Sequence, residues 1–173
     1  ADYRLLRAKT YHVRAVIWGV DGQKRWETTQ LRQACNELEL LVKDFPDHPT
    51  YKFVLANMLA VDVENARTAN AIEMKTKAEN ICQGLSTSFP QVLEYLDLES
   101  HLARQLAKLY ISEKEYLDAG KKLRSAQRLL LEIIGQTPKI QSYYFQYAEV
   151  SLELADLLIK QQHWKEADQE MKS

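Results

Sequence analysis

Apolar residues recur along the chain at intervals of three and four positions, which is the period of a helix that buries one face. One such stripe comprises Tyr95, Leu98, Leu102, Leu106, Leu109 and Tyr110. A second comprises Leu31, Ala34, Cys35, Leu38, Leu41, Val42 and Phe45. Stripes of this width can pack against a neighbouring helix. The pattern therefore predicts an all-α protein built from long amphipathic helices.

Residues that interrupt helices are scarce, with 5 glycines and 4 prolines among 173 residues. Pro46, Pro90 and Pro138 each follow a predicted helix, where a fixed φ and a missing N–H favour a stop. The segment 19–22, Gly-Val-Asp-Gly, has the composition of a turn. We therefore expect helices of about 20 residues, each roughly 30 Å long, joined by short connections.

The predicted helices follow a repeat. Each of these three prolines is preceded by Phe or Thr and followed, five residues later, by a tyrosine. The tyrosines are Tyr51, Tyr95 and Tyr143, at spacings of 44 and 48, and Tyr3 continues the series backward by 48. Small residues keep the same register at Ala15, Ala34, Ala78, Ala107, Ala126 and Ala155. The repeat predicts four helix pairs in a single domain, with units 1–46, 47–90, 91–138 and an incomplete 139–173.

This register resembles the tetratricopeptide repeat (TPR), in which small residues mark the close approach of two antiparallel helices. Ala107, Ala119 and Ala126 fall at the TPR spacings, although the period of 44 to 48 exceeds the usual length of about 34 residues. Glu27 and Val63 stand where small residues are expected. The resemblance implies an all-α, right-handed solenoid of antiparallel helix pairs.

The segment 45–56, FPDHPTYKFVLA, is similar to the long-period repeats in the non-catalytic tails of some bacterial serine/threonine protein kinases. This likeness implies an interaction module without catalysis, within a larger regulatory or signalling protein. The chain starts at Ala1, and its fourth unit stops short of a full helix pair, so we expect a fragment of a longer protein.

Charge narrows the classes of partner. The chain has 23 Lys and Arg against 24 Asp and Glu, so no global field favours nucleic acid or an anionic membrane. No apolar run approaches the roughly 18 residues that a membrane-spanning helix needs. We expect no nucleic-acid binding and no membrane contact, and a cytoplasmic location is favoured.

Catalytic patterns are lacking. Five scattered glycines form no phosphate-binding loop, and the four histidines form no nucleophilic constellation with Ser or Cys, so we expect neither an enzyme nor a cofactor.

Cys35 and Cys82 lie outside any zinc-binding pattern and are expected to pack as small apolar residues, with a disulfide as the alternative. Glu94, Asp97 and His101 share a helical face, but a metal site would need further ligands from a facing helix.

The resemblance also selects candidate partner-binding residues, because the first helices of TPR stacks line the ligand-binding surface. The candidates are Lys9 and His12 in the first unit, Asn57 in the second, and His101, Arg104 and Lys108 in the third. Unpaired Arg and Lys side chains there would bind a protein or peptide of acidic character through charge-assisted hydrogen bonds. In the fourth unit Glu149, Leu152 and Asp156 make the equivalent surface acidic.

Three further expectations concern the last unit and the rival functions. Tyr143 and Tyr147 fit the core stripe, which leaves Tyr144 and Phe145 for recognition. The incomplete last unit would leave the stripe of Val150, Leu154, Leu157 and Leu158 partly uncovered, and self-association through this unit would cover it. A small-ligand or metal sensor would instead require an enclosed cavity, and a structural or oligomerisation spacer would require none.

Overall fold

The apolar periodicity corresponds to helices throughout the part of the chain that the structure, a computed structural model, describes, residues 2–61 and 68–161. Seven helices lie in these ranges: α1 (Asp2–Val20), α2 (Lys24–Asp44), α3 (Pro49–Ala60), α4 (Thr68–Ser88), α5 (Leu93–Ser112), α6 (Tyr116–Gln136) and α7 (Gln141–Lys160). Six of them are 19 to 21 residues long, α3 has 12, and the same ranges contain no strand. The predicted all-α class is confirmed.

The helices end where the sequence places breakers. α2, α4 and α6 each end two residues before Pro46, Pro90 and Pro138. In the turn between α1 and α2, Gly22 has φ +71°, a left-handed conformation that glycine adopts without steric cost. Lys114 adopts a similar φ of 64° in the turn between α5 and α6.

The chain forms two compact units, Ala1–Leu85 and Ser86–Ser173, and the boundary falls near the end of α4. In unit 1, α1 packs against α2 and α2 against α3. Ala8, Ala15 and Ala34 are almost completely buried, because side chains this small let two helices approach closely. Glu27, which replaces an expected small residue, faces Gly19: a Cβ at Gly19 would lie 2.9 Å from its Oε1 atom.

Two further features tie unit 1 together. The buried ammonium group of Lys75 in α4 donates a hydrogen bond of 2.8 Å to the carbonyl of Ala60, the last residue of α3, and so satisfies one terminal carbonyl of that helix. Cys35 and Cys82 are both buried, and no disulfide joins them.

In unit 2, α6 packs against both α5 and α7 around one core. The buried members of this core are Ala103, Ala107, Ala119, Leu123, Ala126, Leu130, Val150, Leu154, Ala155, Leu157 and Leu158. The repeat alanines of these helices are thus buried as the register predicts. The α7 stripe of Val150, Leu154, Leu157 and Leu158 is at most 3% exposed. The expectation that this stripe is partly uncovered is therefore wrong. These side chains pack into one core with residues of α5 and α6. The second helix that the sequence predicts for this unit, from Trp164 onward, lies outside the described residues.

The repeat tyrosines are buried when an aromatic ring precedes them. Tyr51 packs edge-on against Phe45 with ring centroids 5.9 Å apart, and Tyr95 packs in the same way against Phe89 at 6.3 Å. Tyr3 is 73% exposed. The Phe-Pro elements before α3 and α5 therefore provide the packing partners of Tyr51 and Tyr95.

Candidate interaction site

The six residues that the sequence selects as partner-binding lie on three helices. They are Lys9 and His12 on α1, Asn57 on α3, and His101, Arg104 and Lys108 on α5. The residues on α5 follow each other at spacings of three and four, which places them along one helical face. The structure therefore brings three of the six together, in unit 2.

The three candidates of unit 1 form no comparable cluster. Lys9 is exposed, whereas His12 is half-buried and its Nδ1 atom is buried without a hydrogen-bond partner. Asn57 is exposed, but its side-chain amide donates a hydrogen bond of 2.9 Å to the carbonyl of Phe53 in its own helix. Their assignment to a partner-binding surface remains a prediction.

Arg104 is held by two carboxylates of α7. Its Nε and Nη2 atoms donate to the two oxygens of Glu153 at 3.0 and 2.9 Å, and its Nη1 atom donates to Glu149 at 2.7 Å. The ammonium group of Lys108 lies 3.2 Å from the same Glu153 carboxylate. The two cations are therefore paired, contrary to the expectation of unpaired donors facing a groove.

This pairing shifts the titration of both partners. Burial acts to raise the pKa of Glu153, but the hydrogen bonds and charges of Arg104 and Lys108 outweigh it and lower that pKa below its usual value. The hydrogen bond to Glu153 is the largest influence on the guanidinium of Arg104, and the pKa of this group is raised. Because both side chains are at most 27% exposed, water screens the pair less than it screens a surface ion pair.

A polar cleft of about 130 Å³ lies beside this network in unit 2. Its lining residues are Asp97, Ser100, His101 and Arg104 of α5, Leu130 of α6, and Gln146 and Val150 of α7. The volume is that of roughly four water molecules at about 30 Å³ each, enough for the end of one side chain. Two helices one repeat apart thus contribute polar groups to one concave site.

Asp97 is the acidic group of the cleft. Its carboxylate makes no hydrogen bond or ion pair with the described residues, while the Ser100 hydroxyl donates to its backbone carbonyl at 2.8 Å. Burial raises the pKa of Asp97; the charge of His101 opposes this shift and that of Glu94 adds to it. A positive charge placed against this carboxylate would favour its charged form and so offset the increase in pKa that burial and Glu94 cause.

The balance of charge at the cleft and its network is negative. If His101 is left out of the count, Asp97, Glu149 and Glu153 carry three negative charges, and Arg104 and Lys108 carry two positive ones, which leaves a net charge of −1. The arrangement suits an incoming cation better than an anion.

Metal binding and enclosed ligand binding find less support. Within residues 2–61 and 68–161, no three His, Cys, Asp or Glu side chains gather so that they could hold a metal ion, and this includes the face of Glu94, Asp97 and His101. A larger hollow of about 340 Å³ occurs in unit 1, where it is lined by Arg14, Ile17, Trp18, Trp26 and Gln30. Because the two tryptophans are 37% and 53% exposed, this hollow is open to solvent.

Sequence reasoning named Glu149 and Asp156 as acidic positions of the fourth unit, but it did not name Glu153 and it missed the pairing of Arg104 with Glu149 and Glu153. Arg104 and Glu153 lie 49 residues apart, one repeat length plus one position. Equivalent helices of neighbouring repeats that pack side by side would bring such residues together. The repeat spacing was thus the signal that could have revealed the Arg104–Glu153 pair. Asp97 could have been identified as a site residue because it shares a polar helical face with Glu94 and His101.

Comparisons with models of known protein families and with curated proteins find no match to this chain. The described helices include none with the length and apolar character needed to cross a bilayer. The likeness to tetratricopeptide repeats consequently rests on the residue register described above.

Proposed function

We propose that this chain is a protein-interaction module of the TPR type, a solenoid of helix pairs within a larger regulatory or signalling protein, without catalytic activity. It presents the cleft between α5 and α7 to a peptide or partner domain. The repeat register supports this proposal, because Ala107 and Ala155 are both buried and α5 and α7 line one cleft.

The observation that carries the proposal is the half-buried Asp97 carboxylate, which lacks a hydrogen-bond partner among the described residues and lines a concave polar site. A group of this kind raises the free energy of the empty site, because burial of a charge is costly unless a counter-charge compensates it. A partner that supplies the counter-charge therefore gains affinity as well as orientation.

The partner chemistry that fits is a positively charged side chain. Arg104 and Lys108, two of the cations on which the expectation of an acidic peptide rested, are already neutralised by Glu149 and Glu153. An incoming carboxylate would have to displace these hydrogen bonds and approach a site of net negative charge. A lysine ammonium group can instead enter beside Asp97 and the amide of Gln146.

Selection of a random peptide library, displayed on phage, against this chain tests the proposal. We expect the enriched peptides to share a Lys or Arg, and we expect Asp97→Asn to weaken their binding by roughly tenfold, the effect of losing about 1.4 kcal/mol. Glu132→Gln removes an exposed carboxylate from α6 and is the matched control, which should leave binding unchanged.

Peptides that bind equally well to the Asp97→Asn variant would show that the cleft is not the binding site. A selection that enriches only acidic peptides would support the partner class predicted from the sequence alone. An absence of enrichment would argue against an interaction module that recognises peptides.

A further inference from the structure

The solvent-facing side of α1 is apolar along most of its length. Seven of its large apolar side chains are at least 37% exposed, namely Tyr3, Leu6, Val13, Val16, Ile17, Trp18 and Val20. The opposite side of the same helix buries Ala8 and Ala15 in unit 1. Trp18 lies beside Trp26 of α2, whereas Leu6, Val13, Ile17 and Val20 follow helical spacings along one exposed face. A helix that is apolar on two sides is typical of an element that packs against two neighbours, so this face marks an interaction surface.

Charge at the edges of this surface indicates what it binds. Lys9 and Arg14 are exposed on α1, and neither forms an ion pair with the described residues. Arg4 and Arg7 of the same helix, in contrast, pair with carboxylates of α2. The apolar face of α1 is therefore edged by uncompensated positive charge, so a second α1 would bring like charges together and an acidic apolar helix would be complementary.

α7 has these properties. It carries the next largest set of exposed large apolar side chains on a described helix, with Tyr144 at 45%, Phe145 at 70% and Leu152 at 58%. Glu149 and Asp156 are exposed on the same side of α7, at helical spacings of three and four from Leu152. Phe145, Glu149, Leu152 and Asp156 consequently form one apolar stripe with an acidic edge.

We propose that α1 of one copy of this chain docks on the exposed face of α7 of a second copy. The apolar stripes bury each other, and Lys9 and Arg14 lie near Asp156, while Glu149 stays paired with Arg104. This contact uses neither Asp97 nor the polar cleft, so it does not depend on the proposed peptide binding. Because the two faces differ, the contact is heterologous: the copies associate head-to-tail and either close into a ring or grow further.

Sedimentation-velocity measurements over a wide range of protein concentration test the contact on the chain as it stands. We expect the mean mass of the sedimenting species to rise with protein concentration, and weaker association at high salt because the charged edges are screened. Ile17→Asp and Leu152→Asp each place a charge on one face only. Each should weaken self-association by roughly tenfold or more, since the charge would be buried in the contact.

Mixing the two variants distinguishes this contact from a symmetric one. The Ile17→Asp chain keeps its α7 face and the Leu152→Asp chain keeps its α1 face, so the mixture should form a 1:1 complex that grows no further. Leu117→Asp, at another exposed apolar position on α6, is the control and should associate like the wild type. Thermal melts verify that each variant is folded, and Val13→Asp replaces Ile17→Asp if the latter unfolds.

Three results would overturn the proposal. A wild-type chain that stays monomeric at every concentration has no such contact. Association that persists in the Leu152→Asp chain alone would mean that α7 is not involved, and association that persists in the Ile17→Asp chain alone would mean the same for α1.

Discussion

Arg104 of α5 donates a pair of hydrogen bonds to Glu153 of α7, at 2.9 and 3.0 Å, across a sequence separation of 49 residues. This pair links α5 to α7 within unit 2. It also occupies the guanidinium of Arg104, one of the predicted partner-binding residues. In the proposed function, the half-buried Asp97 carboxylate therefore determines which partner the cleft can accept.

The Arg104–Glu153 pair should contribute measurably to stability. In a double-mutant cycle with Arg104→Ala and Glu153→Ala, we expect a coupling free energy of about 1 to 3 kcal/mol, the range of hydrogen bonds to charged groups. Urea unfolding followed by circular dichroism measures it. The exposed Lys121–Asp118 pair on α6 is the control, and its coupling should stay below about 0.5 kcal/mol. Equal coupling in the two pairs would contradict the structural role of Arg104.

Glu153 and Asp97 should affect the pH dependence of stability with opposite signs. The pKa of Glu153 is lowered in the folded chain, so its stabilising effect is present at neutral pH and is lost as the pH falls through that lowered pKa. The pKa of Asp97 is raised, so its ionisation opposes folding as the pH rises through that raised pKa.

Accordingly, Glu153→Gln should lower the free energy of unfolding at about pH 7, and its effect should shrink as the pH falls through the lowered pKa of Glu153. Asp97→Asn should raise the free energy of unfolding at neutral pH and have little effect in acid. Urea titrations at a series of pH values provide the test. Changes of the same sign in both variants would show that the surroundings of one carboxylate are misassigned.

The repeat alanines should not tolerate larger side chains. Ala107→Leu and Ala126→Leu each force an isobutyl group into a closely packed helix crossing, which costs about 1 to 3 kcal/mol. Ala148→Leu, on the exposed face of α7, is the matched control and should change stability by less than about 0.5 kcal/mol. Similar losses at all three positions, measured by urea unfolding, would contradict the register.

The two cysteines should be unreactive in the folded chain. Burial raises the pKa of the Cys35 thiol to about 11, with a further contribution from Glu39 and an opposing one from Lys77. The reactive thiolate is therefore scarce at pH 8, and Cys82 is fully buried. Labelling with a thiol-specific disulfide reagent should be at least roughly tenfold slower in buffer than in urea. In the folded chain the reagent cannot reach the two thiols, and burial keeps the Cys35 thiol protonated. Equally rapid labelling in buffer would contradict the burial of both side chains.

Local pattern was sufficient to predict the all-α class, the helix ends before Pro46, Pro90 and Pro138, and the buried alanines, because each depends on spacing along one helix. It did not predict that α3 has only 12 residues. Nor did it predict the pairing of Arg104, which depends on which helix lies beside α5. The sequence shows that α5 and α7 carry charged residues at these positions. Only the packing of the two helices determines whether those residues face solvent or pair with each other.

The pKa of the Asp97 carboxyl group, followed by NMR with and without a saturating basic peptide from the library selection, tests the central claim most directly. The account predicts that the raised pKa falls on binding, because an ammonium group against the carboxylate favours its charged form. It also predicts that the same peptide with its Lys replaced by Gln leaves that pKa raised. A basic peptide that binds while the pKa of Asp97 stays unchanged would contradict the assignment of this cleft as the interaction site.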